Sequence, residues 1–150
     1  MASDLSDLYQ EILLEHNRRP RNFRTLDDPT HQADGYNPLC GDEISLQLRI
    51  AGGETVDDAA FQGHGCAISR ASASLLTQAV KGGSSAEAMA KFDEFHRMLT
   101  EPDAELDYDL LGDLEMLAGV IAYPTRIKCA ILAWHTLKAA MAGEAIATTE

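Results

Sequence analysis

The chain has 150 residues, 45% hydrophobic and 24% charged, with a formal net charge of −12 and a pI near 4.7. That length reads as a single domain, residues 1–150, large enough for a hydrophobic core. The acidic balance argues against a phosphate-backbone partner, so no nucleic acid is expected. No apolar run approaches a membrane span, and the polar Met1-Ala2-Ser3-Asp4 start is no secretory signal. A cytoplasmic protein with reduced thiols and no membrane partner is the expectation.

In chain order, residues 4–17 predict a helix, with Leu5, Leu8, Ile12 and Leu13 near one face and Ser3 or Asp4 as its cap. Arg18-Arg19-Pro20-Arg21-Asn22 ends it. Gln32–Tyr36 carries a weak strand signal. Glu43–Ala51 carries a clear one, because Ile44, Leu46, Leu48 and Ile50 alternate with Ser45, Gln47 and Arg49. Gly52-Gly53 predicts a hairpin turn, with Thr55–Gln62 as the returning strand. Ala67–Val80 reads as a helix closed by Lys81-Gly82-Gly83. Ser84 or Ser85 caps a second helix through about Leu99. Pro102 to Tyr108 reads as a linker. Leu110–Ala122 predicts a third helix with Leu110, Leu111, Leu114, Leu117 and Ile121 as its stripe. Pro124 opens a last helix to about Ala142, followed by a frayed tail. The fold class is α+β: a small antiparallel sheet of about three strands packed on a layer of helices.

The chemistry lies in three cysteines and an aspartate: Cys40 and Asp42 in Asn37-Pro38-Leu39-Cys40-Gly41-Asp42, Cys66 in Gly63-His64-Gly65-Cys66, and Cys129 in Arg126-Ile127-Lys128-Cys129. Three thiolates and a carboxylate form a ligand set for a borderline-soft metal such as zinc. An odd cysteine count fits poorly with disulfides. Cys40 and Asp42, two apart, project to one side of an extended chain. The hairpin brings them beside the exit of its second strand, hence near Cys66. Cys66 also precedes a helix, whose N-terminus favours a thiolate. On the last helix the stripe is Ile127, Ala130, Ile131, Trp134, Leu137 and Met141. Cys129 falls roughly 140° from its centre, off the core face and between Arg126 and Lys128, which would stabilise a thiolate. His64 is a further candidate, as a fourth ligand or as a donor to one. His16, His31 and His96 read as surface residues, His135 as packed or surface, and Trp134 as a core anchor.

These motifs resemble those of the SufU proteins, a branch of the IscU/NifU-like iron–sulfur cluster assembly family. The resemblance extends to Leu8-Tyr9, His16-Asn17-Arg18-Arg19-Pro20-Arg21-Asn22 and Ala71-Ser72-Ala73-Ser74, and so to nearly the whole chain. It implies zinc held by Cys40, Asp42, Cys66 and Cys129, and a cysteine desulfurase, SufS, as partner. A desulfurase histidine would replace one cysteine on the metal. The freed Cys40 would act as a zinc-dependent sulfurtransferase's acceptor, take persulfide sulfur and pass it to a SufBCD-type scaffold. IscU scaffolds usually carry a histidine before the last cysteine, where this chain has Lys128. That position, and the long segment between Cys66 and Cys129, favour the sulfur acceptor. The alternative is an iron–sulfur scaffold, with iron or a transient cluster on the same residues. A binding module with a structural zinc is a third reading.

Overall fold

The computed structural model describes residues 2–101 and 103–148, and their side chains from Tyr9 onward. The predicted stripe residues Leu5 and Leu8, the capping candidates Ser3 and Asp4, and the linker's Pro102 thus lie wholly or in their side chains outside the described residues. The architecture is α+β. Helix α1 (Ala2–Arg18) leads into β1 (His31–Asn37), β2 (Asp42–Ala51) and β3 (Thr55–His64). Then come α2 (Ala67–Val80), α3 (Ser85–Thr100), a short α4 (Tyr108–Leu111), a 3₁₀ segment (Gly112–Ala122), α5 (Pro124–Met141) and β4 (Ile146–Thr148).

The sheet order is β3-β2-β1-β4. The β2–β3 hairpin forms as its alternation requires. Ile44, Leu46, Leu48 and Ile50 are buried, facing a core that includes Phe61, Leu76, Phe95 and Trp134. Trp134 is the core anchor expected of it, stacked on Phe95. The weak strand signal becomes β1, antiparallel to β2 with Ala33 opposite Leu46. Its burial alternates too: Ala33, Gly35 and Asn37 face inward. Gly35 is inward because α5 crosses there so closely that a Cβ would collide with the Thr136 hydroxyl and crowd Leu132.

Two expectations need correction. The tail is not frayed through Thr148: Ile146–Thr148 pairs parallel with β1, Gly35 opposite Ala147, and adds a fourth strand. A three-residue edge strand is too short to leave a period in the sequence. The third helix is mostly 3₁₀ rather than α. Leu111, Leu114, Leu117 and Val120 are its buried side, spaced three apart, which is the period of a 3₁₀ turn.

His16 is also not a surface residue. It is buried, and its Nδ1 lies 2.7 Å from the Ser74 hydroxyl. Ser74 Oγ also accepts the Arg21 backbone N–H at 2.8 Å. Asn22 Nδ2 donates to Thr77 Oγ1 at 3.1 Å. The polar run after α1 is therefore a lock onto α2. Burial holds the His16 pKa below its ordinary value, and the nearby Arg21 charge acts in the same direction.

Candidate metal centre

A tight turn at the start of β2 places the first two residues. The N–H groups of Cys40 and Gly41 both donate to the Asn37 carbonyl, at 3.3 and 2.9 Å. Gly41 takes φ +73°, a left-handed conformation glycine adopts without steric penalty. Asp42 then enters β2 facing inward at 2% exposure, while Cys40 remains exposed on the turn.

The hairpin supplies the second wall. Glu43 pairs with His64, so β3 ends beside the start of β2. Gly63 and Gly65 permit this approach: a Cβ on the first would strike the Glu43 carbonyl, and one on the second the Asp42 carboxylate. Cys66 follows as the N-cap of α2, its sulfur accepting the Ser69 N–H at 3.4 Å. Its own N–H donates to Asp42 Oδ1 at 2.8 Å, and its sulfur lies 4.0 Å from Asp42 Oδ2.

Cys129 arrives from the first half of α5. It is fully buried, contrary to the placement off the core face. The stripe argument fails because α5 runs between the sheet and the other helices, and every residue from Cys129 to Trp134 is buried. The Cys129 thiol stands 3.4 Å from the Cys40 sulfur. Asn37 Nδ2 bridges the group, donating to Asp42 Oδ2 at 3.2 Å and to the Cys129 sulfur at 3.6 Å. Burial, followed by the Cys40, Asp42 and Cys66 neighbours, pushes the Cys129 thiol pKa well above its ordinary value. Without a cation in the cluster this sulfur holds its proton, the opposite of the thiolate expected from Arg126 and Lys128. Lys128 points into solvent.

Ligand atoms of Cys40, Asp42 and Cys129 all lie within 4.8 Å of one another, with Cys66 at their side. A tetrahedral zinc with Zn–S near 2.3 Å has sulfur–sulfur edges of about 3.8 Å. The 3.4 Å Cys129–Cys40 separation is near that scale, whereas Cys66, whose sulfur lies 4.0 Å from Asp42 Oδ2, stands outside the group formed by Cys40, Asp42 and Cys129. Three thiols and a carboxylate are a donor set suited to zinc, whose binding would release the thiol protons and hold the sulfurs as thiolates.

His64 does not join the cluster. As the cross-strand partner of Glu43 it faces the other side of the sheet from Asp42, and its Nε2 meets Glu43 Oε2 at 2.9 Å. Asn37 is the residue the motif reading missed as a site component. The sequence marked it only as a turn former before Pro38, and an inward alternation phase in β1 is the signal that would have placed it. Leu39, next to Cys40 in the chain, is 59% exposed, and Tyr123, just before α5, is 63% exposed. A groove of about 880 Å³ lies between α1 and the 3₁₀ segment, lined by Tyr9, Leu13, Ile68, Met116, Tyr123 and Arg126.

The chain matches the family model described as the NifU-like N terminal domain over residues 8–130. It is 41% identical over 142 residues to the zinc-dependent sulfurtransferase SufU of Bacillus subtilis (strain 168), covering 95% of each chain. It is also 41% identical over 139 residues to the iron-sulfur cluster assembly scaffold protein IscU of Streptococcus pyogenes serotype M1, covering 93% of this chain and 86% of that one. Among solved structures, the putative iron-sulfur cluster assembly scaffold protein for the SUF system from Fervidobacterium islandicum AW-1 superposes with a TM-score of 0.82 at 30% identity, covering 87% of this chain and 94% of the other.

Proposed function

The chain belongs to the SufU/IscU-type, NifU-like family of iron–sulfur cluster assembly proteins, and on that premise we propose that it is a sulfur acceptor whose reactive thiol is Cys40. The observation that carries this reading is the difference in access between the sulfurs. Cys40 is exposed on a glycine-containing turn, whereas Cys129 is buried and Cys66 half-buried. A sulfur acceptor needs one thiolate that a partner can reach and others that stay in place.

Cys40, Asp42, Cys66 and Cys129 would hold zinc, which keeps thiols deprotonated without redox chemistry of its own. In the transfer, the Cys40 thiolate attacks the outer sulfur of a persulfide carried by a cysteine desulfurase such as SufS. A new S–S bond forms on Cys40, the old one breaks, and the desulfurase cysteine leaves as a thiolate with no net oxidation. Asn37 and the Ser69 N–H hold the remaining ligands while Cys40 moves. The exposed Leu39 and Tyr123 offer apolar contact to the partner. The recipient of the sulfur is a cluster scaffold of the SufBCD type. Cys40→Ala should retain desulfurase binding and lose sulfur acceptance; a Cys40→Ala protein that still accepts sulfur would refute the assignment.

A second reading is a scaffold holding iron or a transient cluster on the same residues. The 41% identity to the Streptococcus pyogenes protein named as a scaffold favours it. Anaerobic purification with metal analysis and a visible spectrum separates the two: colourless zinc protein for the acceptor, a brown protein that passes its cluster to an apo-acceptor for the scaffold.

A further inference from the structure

Two of the three sulfurs are already in contact. The Cys129 thiol lies 3.4 Å from the Cys40 sulfur and donates towards it. Cys66 stands outside the group that Cys40, Asp42 and Cys129 form. A disulfide holds its sulfurs about 2.05 Å apart, so the Cys40–Cys129 pair must close by roughly 1.4 Å. Cys40 can supply that movement, because it sits on an exposed turn beside Gly41, which has open space around it. The two thiols also differ in access: Cys129 is fully buried and Cys40 is exposed. A sulfur delivered to Cys40 arrives from the solvent side, which leaves the Cys129 sulfur across the Cys40 sulfur from the newcomer. Displacement at a divalent sulfur runs along that line, with the attacking thiol opposite the group that leaves.

We propose that Cys129 is a resolving thiol: once metal is removed, it attacks the inner sulfur of a Cys40 persulfide and releases sulfide. The Cys129–Cys40 bond forms as the bond between the Cys40 sulfur and its outer sulfur breaks. The outer sulfur leaves with the bonding electron pair, and the Cys129 proton reaches it through solvent, giving HS⁻. The two cysteine sulfurs are oxidised to a disulfide, the transferred sulfur is reduced to sulfide, and no outside oxidant or reductant enters. Because Cys129 carries its proton as the donor to Cys40, the step belongs to the minutes-to-hours range of uncatalysed disulfide rearrangement. A Cys129 sulfur held as a metal ligand is withheld from this attack, so the loaded protein keeps the persulfide for transfer. This rests on the proposed role of Cys40 as acceptor, and adds a second fate for the sulfur it takes: transfer from the loaded protein, discharge as sulfide from the stripped one.

In the test, zinc-loaded protein is persulfidated with glutathione persulfide, desalted and treated with a chelator, with no desulfurase present. A sulfide electrode follows release, and non-reducing peptide mass spectrometry maps persulfides and disulfides. Chelated wild type should release about one sulfide per Cys40 persulfide and leave a Cys40–Cys129 linked peptide, at a rate independent of protein concentration. The unchelated sample should keep its persulfide. Cys129→Ser should keep it after chelation too, releasing sulfide at least about tenfold more slowly. The disulfide map is read on wild type, so the test stands whether or not Cys129→Ser folds fully. A Cys40 persulfide that survives chelation in wild type overturns the proposal. So does sulfide release without the Cys40–Cys129 link, or persulfide moved to Cys129 with no sulfide. If the donor places no persulfide on Cys40 of the loaded wild type, the acceptor assignment itself fails, and this inference falls with it.

Discussion

The Asp42 carboxylate accepts the backbone N–H of Cys66 at 2.8 Å, joining the first residue of β2 to the N-cap of α2. One side chain thereby serves as both candidate ligand and structural tie, and the two roles separate by substitution. Asp42→Asn retains an oxygen for the Cys66 N–H and removes the charge, so it should fold normally and bind zinc at least about tenfold more weakly. Asp42→Ala should show the same zinc defect and lose a further ~1–3 kcal/mol in denaturant unfolding, from the orphaned donor. Equal zinc affinity in wild type and Asp42→Asn, by chelator competition, would remove Asp42 from the ligand set.

Metal removal should be felt across the fold, because the proposed ligands come from the β2 turn, the start of α2 and the first half of α5. Zinc present at about a hundred times its Kd stabilises by about 2.7 kcal/mol. Chelation should then lower the Tm by roughly 5–10 °C. A scanning calorimetry trace unchanged by chelator would show that the ions contribute nothing to the fold.

Gly35→Ala should destabilise by about 1–3 kcal/mol, because the added methyl meets the Thr136 hydroxyl across the β1–α5 contact. Gly119, with open space around the position of its Cβ, is the control: Gly119→Ala should be near neutral in the same urea titration.

His16 gives a pH dependence with a defined sign. Burial depresses its folded pKa below the ordinary 6.5, so the neutral imidazole is the native form. Between the folded pKa and 6.5 the unfolded chain binds more protons. The stabilisation is therefore complete above about pH 6.5 and is lost as pH falls through the folded value. His135, also depressed by burial, acts in the same direction. Unfolding free energy should decline from pH 7 to pH 5, and His16→Gln should flatten part of that slope while His135 maintains the rest. An identical slope in the variant would contradict the assignment.

Much of this site was legible before the structure. Alternation in β2 and the Gly52-Gly53 turn set the hairpin, and the hairpin alone brings Asp42 to Cys66. The limits of α2, Ala67–Val80, were readable from its flanking glycines. Cys129 was misplaced because a stripe is informative only on a helix with a solvent side, and this part of α5 has none. His16 looked like a surface residue because its partner, Ser74, is far away in sequence. The period of three in Leu111, Leu114, Leu117 and Val120 was visible, yet over so few turns it overlaps the α-helical pattern. The contact of Asn37 with Asp42 and Cys129 depends on the inward phase of β1, which its weak strand signal did not establish.

The most direct test of the account is site-resolved mass spectrometry of the zinc-loaded protein after a single turnover with a cysteine desulfurase and cysteine. The account predicts persulfide on Cys40, with Cys66 and Cys129 unmodified. Persulfide on Cys66 or Cys129 with Cys40 clean would contradict it.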